Sequence, residues 1–493
     1  MKLLQVQVPD FRVLKDVDIK FDRRFVPNIF PLGSLNGGGK STLLQLVFVL
    51  LHCCTNPGRK VFIKNLLHGF TLNDDSSDRV LAIIKIWDGE KEVEIKFLVC
   101  HNTYIENILK QDHEYKNSED WKLSNFQELE NINKKIYKIE QDIEKLKKTI
   151  NKIELAQEIK NEDIKARQFR EILIELTLEH RMLPSLRRMS PIPPIEEFKE
   201  EVEQMLHVYN VNLDEYYQEK EKLELVVQRI SRYLHEKHII YICDYSSRVD
   251  KEENELILCQ IADNLDINKA EDWLDKISNK IFLAAPISQV FLFTSQTSRR
   301  LLFQQNSDRD YNSDLKLSKL KLPGFFTYDF APVDLLIKVF TNALEEDSKT
   351  AIETEGEYGK RYKALLDDLN LLLANKKVNI STDFSKITFK LDTNDGNIEL
   401  SPEDLSHGEL KRLSIYLWIK YSKIKNAIVL MDEIEIGFHP DWQYEIIRDL
   451  EEWSSSNQYI LATHSYQLCR ALTPAHVREL EPKLIKSDNN IPL

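Results

Sequence analysis

Glycine and proline are scarce, at 13 and 16 in 493 residues. So little of either excludes collagen-like repeats and low-complexity disorder. Six cysteines in so long a chain make no disulfide framework, and Cys53-Cys54 are adjacent, not spaced as a redox or metal pair. No apolar run reaches the roughly 18 residues that mark a membrane span. The best candidate, Leu43 to Cys54, is interrupted by Gln45 and His52. The opening Met-Lys-Leu-Leu-Gln-Val-Gln-Val has no apolar core of a secretion signal, so a soluble, cytoplasmic protein with no membrane partner is expected. Positive charge is also short: 67 basic against 80 acidic side chains leave a net −13. That argues against a protein that coats nucleic acid. Nucleic acid is kept as a partner class only through short basic runs (Lys134 to Lys152, Arg187-Arg188, Arg299-Arg300, Lys316 to Lys321), whose ordinary reading is a solvated helix face or loop.

What is there is α/β in character, with length for two to three domains at roughly 150 residues each. Leu3 to Val8, Val17 to Phe21 and Asn28 to Leu32 read as strands, and a helix is expected from about Lys40 to His52. Strands at Val80 to Trp87 and Lys91 to Val99 flank Asp88-Gly89, a hairpin signal. The carboxylates Asp88 and Glu94 with Lys96 faintly echo a nuclease pattern but read better as a charged hairpin. From Leu129 the pattern changes. Leu129, Ile132, Ile136, Ile139, Ile143, Leu146, Ile150 and Ile153 step 3, 4, 3, 4, 3, 4, 3, a heptad seam. At about 1.5 Å per residue this seam runs roughly 37 Å. A second helical stretch, Ile195 to Leu234, carries Leu223, Val227, Ile230 and Leu234, and prolines 184, 191, 193 and 194 separate the two. Two arms folded back on each other, as an antiparallel coiled coil, are expected. After Tyr241 strand-like runs return at Ile287 to Thr294, Val378 to Ile380, Ile387 to Leu391, Ile428 to Met431 and Tyr459 to Ala462. The expected division is 1–110, 111–245 for the helical insertion, and 246–493.

The chemistry concentrates in four places. Ser34-Leu-Asn36-Gly37-Gly38-Gly39-Lys40-Ser41-Thr42 follows a strand and opens a helix. Backbone N–H groups around such glycines form an anion nest at the positive helix end, where a Cβ would block a phosphate. Lys40 is expected to meet β- and γ-phosphates and the Ser41 hydroxyl a Mg²⁺ ion. Ser34 stands where the usual pattern has its first glycine. Ile428-Val-Leu-Met-Asp432-Glu433 delivers two carboxylates at a strand end. Asp432 suits support of Mg²⁺, and Glu433 suits orienting and deprotonating an attacking water. Leu405-Ser406-His407-Gly408-Glu409 opens an amphipathic helix for which Ser406 is a fitting N-cap. His464 follows a strand, 32 residues after Asp432.

In this order the motifs resemble ABC-type ATPases of the SMC/RecF/OLD branch: a Walker A at Gly37 to Thr42, an LSxGE signature at Leu405 to Glu409, a Walker B at Asp432-Glu433 and a switch His464. The segment Ile434-Glu435-Ile436-Gly437-Phe438-His439-Pro440 is similar to the DEPExGLHP form of the OLD-like group. The resemblance implies an α/β head built from the N- and C-terminal segments around an inserted arm, ATP and Mg²⁺ as cofactors, and two ATP molecules sandwiched between two heads. Asn36, Gly37, Gly38, Gly39, Lys40, Ser41 and Thr42 then bind the nucleotide, with Ser41 and Asp432 at the metal. Ser406 and Gly408 act in trans on the other head's nucleotide, while Glu433 and His464 act in cis. Gln296 is the candidate for a Q-loop glutamine. Only 29 residues follow His464, too few for the nuclease domain of OLD enzymes. Size and short arm are similar to the ATPase subunits of two-gene anti-phage systems of the Septu and PARIS kinds, whose nuclease or toxin effector is a separate protein. The alternative is an SMC/RecF-like DNA-repair or DNA-bridging ATPase, which usually carries longer arms.

Overall fold

A computed structural model describes residues 1–480 except 35–36, 73–77, most of 102–123 and 160–194, 246–254, most of 288–310, 329–331, 355–359, 382–385, 394–395 and a few single positions. The described chain divides into two compact units, Met1–His101 with His235–Leu493, and Asn102–Leu234.

Among the described residues the first unit holds three sheets. β1 (Lys2–Phe11), β2 (Leu14–Lys20), β4 (Asp78–Trp87), β5 (Glu92–Cys100), β6 (Ile239–Tyr245) and β7 (Glu255–Ile261) form an antiparallel sheet in the order β2-β1-β4-β5-β7-β6. β3 (Ile29–Gly33), β8 (Ile281–Ala285), β9 (Phe325–Thr327), β13 (Ile428–Asp432), β14 (Gln458–Ala462) and β15 (Arg478–Glu479) form a parallel one, β15-β3-β14-β13-β8-β9. β10 (Lys376–Ile380), β11 (Ile387–Thr393) and β12 (Gly396–Leu400) make a small meander. β11 pairs with β12 from Phe389–Leu400 to Thr393–Gly396.

Helix α1 (Lys40–Cys53) is apolar on every side, and Leu43, Leu46, Phe48 and Leu50 are all buried. A helix of that kind has to lie inside a core. One continuous core accordingly joins α1 to Val6, Ile84 and Phe97 of the antiparallel sheet and to Leu32, Leu283, Leu430 and Ile460 of the parallel one. The alternate residues of β13 and β14, Val429, Met431, Tyr459 and Leu461, face a second core. Strands covered on both faces read as unbroken apolar runs, as these two do. The remaining helices are α2 (Lys60–Leu67), α3 (Ser124–Gln157), α4 (Ile195–Glu236), α5 (Ala270–Ser278), α6 (Tyr311–Lys321), α7 (Pro332–Thr354), α8 (Lys360–Leu372), α9 (His407–Tyr421), α10 (Pro440–Ser454) and α11 (Tyr466–Arg470). Helices α9, α10 and α11 cover the second core through Ile415, Trp418, Ile447, Leu450 and Leu468.

Two expectations need correction. The apolar run Ile287 to Thr294 holds no strand among its described residues. The strand is β8, and it ends before Pro286, which has no N–H to give a sheet. Phe293 is buried instead as a loop side chain against Phe48 and Phe325. The head also resumes at His235 and not at 246, because β6 pairs with β7 inside the antiparallel sheet. On the other side it ends at His101 and not at 110.

In the second unit, α3 buries Ile132, Ile136, Ile143, Leu146 and Ile153 of the seam and half-buries Leu129, Ile139 and Ile150, while most positions between them are exposed. Helix α4 runs antiparallel beside it. Glu154 pairs with Lys199 at 2.7 Å, and further along Glu140 accepts from Tyr217 at 2.6 Å. Leu146, Ile153, Phe198 and Val202 form a joint core. Among the described residues no helix is long and apolar enough to cross a membrane.

Candidate functional site

Parallel strands place their C-terminal ends on one edge, and register fixes what meets there. Leu32 of β3 pairs with Ala462 of β14, and Ala462 pairs with Asp432 of β13. Gly33, Thr463 and Glu433, one residue further on each strand, therefore leave the sheet side by side. The edge brings together the glycine loop, the Asp432-Glu433 pair and His464.

The loop after β3 ends with Gly37 at φ +78° and Gly39 at φ +87°. Both are left-handed, where L side chains are strained. A Cβ on Gly39 would also lie 2.6 Å from Leu14 Cδ2 and 2.9 Å from Val13 Cγ2, so the β1–β2 turn closes against it. Gly38 between them is buried, and α1 starts at Lys40 with Gly39 as its N-cap. Asn36 lies outside the described residues. Lys40 is buried, and its Nζ donates to the Ser34 carbonyl at 3.2 Å and the Ser34 hydroxyl at 3.0 Å. Ser34, the departure from the usual glycine, thus supplies the acceptor that holds this ammonium. Burial lowers the Lys40 pKa, and Asp432, Glu435 and Glu433 pull it back up.

Asp432 is 2% exposed, and neither carboxylate oxygen has a hydrogen-bond partner of normal geometry. Burial pushes its pKa up to about 6; the Ser41 hydroxyl and Lys40 oppose that, and Glu433 and Glu435 add to it. Two orphaned carboxylate oxygens beside a hydroxyl are hard oxygen donors of the sort Mg²⁺ takes. The pair Asp432 and Ser41 fits that ion.

Glu433 is half-buried and left-handed at φ +51°, a cost of about 1 kcal/mol for a residue with a Cβ. Its N–H donates to the Ala462 carbonyl at 2.9 Å, and its own carbonyl accepts from Lys411 at 3.0 Å. His464 is exposed, and its backbone N–H donates to Glu435 Oε1 at 2.7 Å. Glu435 itself is buried, with Oε2 lacking a partner. A carboxylate buried this way is expensive unless it holds something in place; here it fixes the turn that presents His464. The Ser465 hydroxyl donates to Gln443 at 2.6 Å and caps α11.

Ser406 caps α9, with Glu409 reaching back to the Ser406 N–H and hydroxyl, each at 2.9 Å. Burial raises the Glu409 pKa, but Lys376 and the Ser406 bonds outweigh it and keep the carboxyl below its ordinary value. The Ser406 side chain is exposed. Gly408 is not: a Cβ there would meet the Gly437 carbonyl at 2.7 Å and the Trp442 ring at 3.2 Å. Gly408 therefore has a packing role within its own chain, against the turn that follows Glu433. Among the predicted residues, Lys40, Ser41, Asp432, Glu433 and His464 gather at the sheet edge. Ser406 and Gly408 start the helix that packs on the Glu433–Gly437 turn. Gln296 lies outside the described residues. Sequence reasoning missed Ser34, Glu435 and Lys411 as participants. Glu435 sits in a recognisable motif and Ser34 at the first position of the glycine-loop pattern; Lys411 carries no local signal.

Residues 276–470 match the family described as AAA domain, putative AbiEii toxin, Type IV TA system. The matched segment covers about two fifths of the chain. The chain is 33% identical over 92 residues to the Retron Ec83 probable ATPase of Escherichia coli, covering 16% of this chain and 17% of that one. It is 38% identical over 52 residues to the Retron Vc95 probable ATPase of Vibrio cholerae serotype O1 biovar El Tor, 10% of each. These matches span at most about a sixth of the relatives' lengths. An Smc head domain with an extended coiled coil, bound to the C-terminal domain of ScpA and derived from Pyrococcus furiosus, aligns over 95% of this chain and 91% of its own, at 12% identity. Its TM-score of 0.29 is too low to carry a fold assignment. The matched segment 276–470 contains Asp432, Glu433, Ser406 and His464; the glycine loop lies N-terminal to it.

Proposed function

We propose that the chain is an ATP-hydrolysing switch subunit of a prokaryotic anti-phage defence complex, which controls a separate nuclease or toxin effector. The observation that carries the ATPase reading is the convergence of Lys40, Asp432, Glu433 and His464 on one parallel-sheet edge. The loop from Asn36 to Thr42 would bind ATP, and Ser41 and Asp432 would hold a Mg²⁺ ion, which would supply neutralisation of phosphate charge. Glu433 orients the attacking water and takes its proton, and His464 contacts the γ-phosphate. Ser406 completes the site of a second head, which makes the active form a dimer. The antiparallel arm is a coiled coil that binds the effector or another copy. Retron ATPase likeness and the AbiEii-type domain support the defence setting.

Lys40→Ala is expected to abolish ATP binding, because it removes the charge that meets the phosphates. Glu433→Gln is expected to bind ATP normally and to turn over roughly a thousandfold slower, about 4 kcal/mol of transition-state stabilisation. Equilibrium binding and phosphate release on both variants check this. Turnover of Glu433→Gln at the wild-type rate overturns the assignment.

A further inference from the structure

Lys411 stands five residues after Ser406 on α9 and is 3% exposed. Burying an ammonium costs several kcal/mol unless it is compensated, and a methionine would fill the same stem. The compensation is specific. Nζ donates to the Glu433 carbonyl at 3.0 Å and the Ile436 carbonyl at 2.9 Å, and it lies 4.1 Å from the Tyr328 ring centroid. These are the first and last carbonyls of the turn that opens at Glu433 and closes with Ile436 N–H on the Glu433 carbonyl at 3.3 Å.

We propose that Lys411 is a positioning residue, through which the helix begun by Ser406 sets the orientation of Glu433 in the same chain. The inference rests on the reading of Glu433 as the group that activates water. Glu433 occupies a left-handed conformation that a side chain does not choose unaided. Its backbone is pinned from two directions: the N–H by Ala462, two residues before His464, and the carbonyl by Lys411. Where the backbone is fixed, the carboxylate is aimed. The capping box at Ser406 and Glu409 makes the start of α9 stiff, so Ser406 and Lys411 move as one body. A phosphate of a second head's nucleotide, engaging Ser406, then shifts the carbonyls of Glu433 and Ile436. The state of one site is read at the carboxylate of the other.

The test compares Lys411→Met, which keeps the stem and loses the charge, with Lys411→Arg, which keeps charge and donors. Lys411→Met is expected to leave ATP affinity and KM within about threefold and to lower kcat at least about tenfold, with Lys411→Arg recovering most of the loss. In the Glu433→Gln background, Lys411→Met is expected to add nothing, because it acts through Glu433. A kcat within about twofold of wild type overturns the proposal, as does a kcat loss matched by lost affinity, or a further tenfold loss on top of Glu433→Gln. If the Met variant melts far below wild type, Lys411→Gln, which donates without charge, is read on the same constants. Failure of the underlying reading is separate: Glu433→Gln alone would then turn over normally.

Discussion

The two six-stranded sheets of the first unit share one core but not one task. In the antiparallel sheet, neighbouring strands end on opposite edges, so no two adjacent loops present their residues together. Its charged positions serve the fold: Asp88 accepts from Glu90 N–H, Lys91 N–H and Trp273 Nε1 at 2.8 to 3.0 Å, closing the β4–β5 turn, and Glu94 pairs with Lys85 at 3.1 Å. The parallel sheet sends β3, β14 and β13 out of the same edge in register, and the candidate chemistry lies there. Strand direction, more than composition, decides which sheet can hold a site.

That contrast can be broken first in the antiparallel sheet. Phe97 is fully buried in β5. Phe97→Ala is expected to cost about 3–5 kcal/mol of stability and to leave ATP affinity unchanged in the folded fraction; denaturant unfolding and nucleotide titration check both. A loss of affinity without a loss of stability would mean that the antiparallel sheet takes part in binding.

A second test asks whether the two sheets unfold as one body, through His52 on the helix between them. Burial lowers its pKa to about 4, partly offset by its 2.7 Å contact with the Ser278 carbonyl. A histidine kept neutral in the fold, and free to protonate when unfolded, adds stability at neutral pH that is lost as pH falls below about 6.5 toward 4. At pH 5 the loss is about 2 kcal/mol. His52→Asn is expected to flatten this part of the stability–pH curve. Melting followed from pH 7.5 to 4.5 gives the answer, and an unchanged slope refutes it.

The smallest effect belongs to the parallel edge. Ser34→Gly removes the hydroxyl that holds Lys40, so apparent ATP affinity is expected to rise by up to about fivefold, near 1 kcal/mol, with little change in melting temperature. Isothermal titration distinguishes this from no change or a fall, either of which would deny Ser34 that role.

Much of the parallel edge was legible because glycines, a strand end and a following helix announce themselves locally. Gly37 and Gly39 need positive φ, and β13 is too apolar to be anything but buried. The errors have physical causes too. Ile287 to Thr294 is apolar because Phe293 is buried, yet Pro286 ends the strand before it. The return at His235 was hidden because the sequence between β6 and its partner β7 carries no hairpin signal. Lys411 was invisible because its partners lie 22 and 25 residues away in sequence, and Glu435, though inside a recognisable motif, gave no sign of its contact with the His464 N–H 29 residues on.

The position of β3 between β15 and β14 has a consequence for how the protein is made. The glycine loop leaves the ribosome early, but the strand beside it, β14, follows more than 400 residues later. At roughly 5–20 residues per second that is an interval of about 20 to 80 s. Throughout it α3 and α4 can close on each other, since their contacts are nearer in sequence, while β3 waits with neither neighbour present. A nascent chain that has not yet reached β14 therefore holds the glycine loop without its sheet, and the loop takes its place only once residues 458–462 have been made.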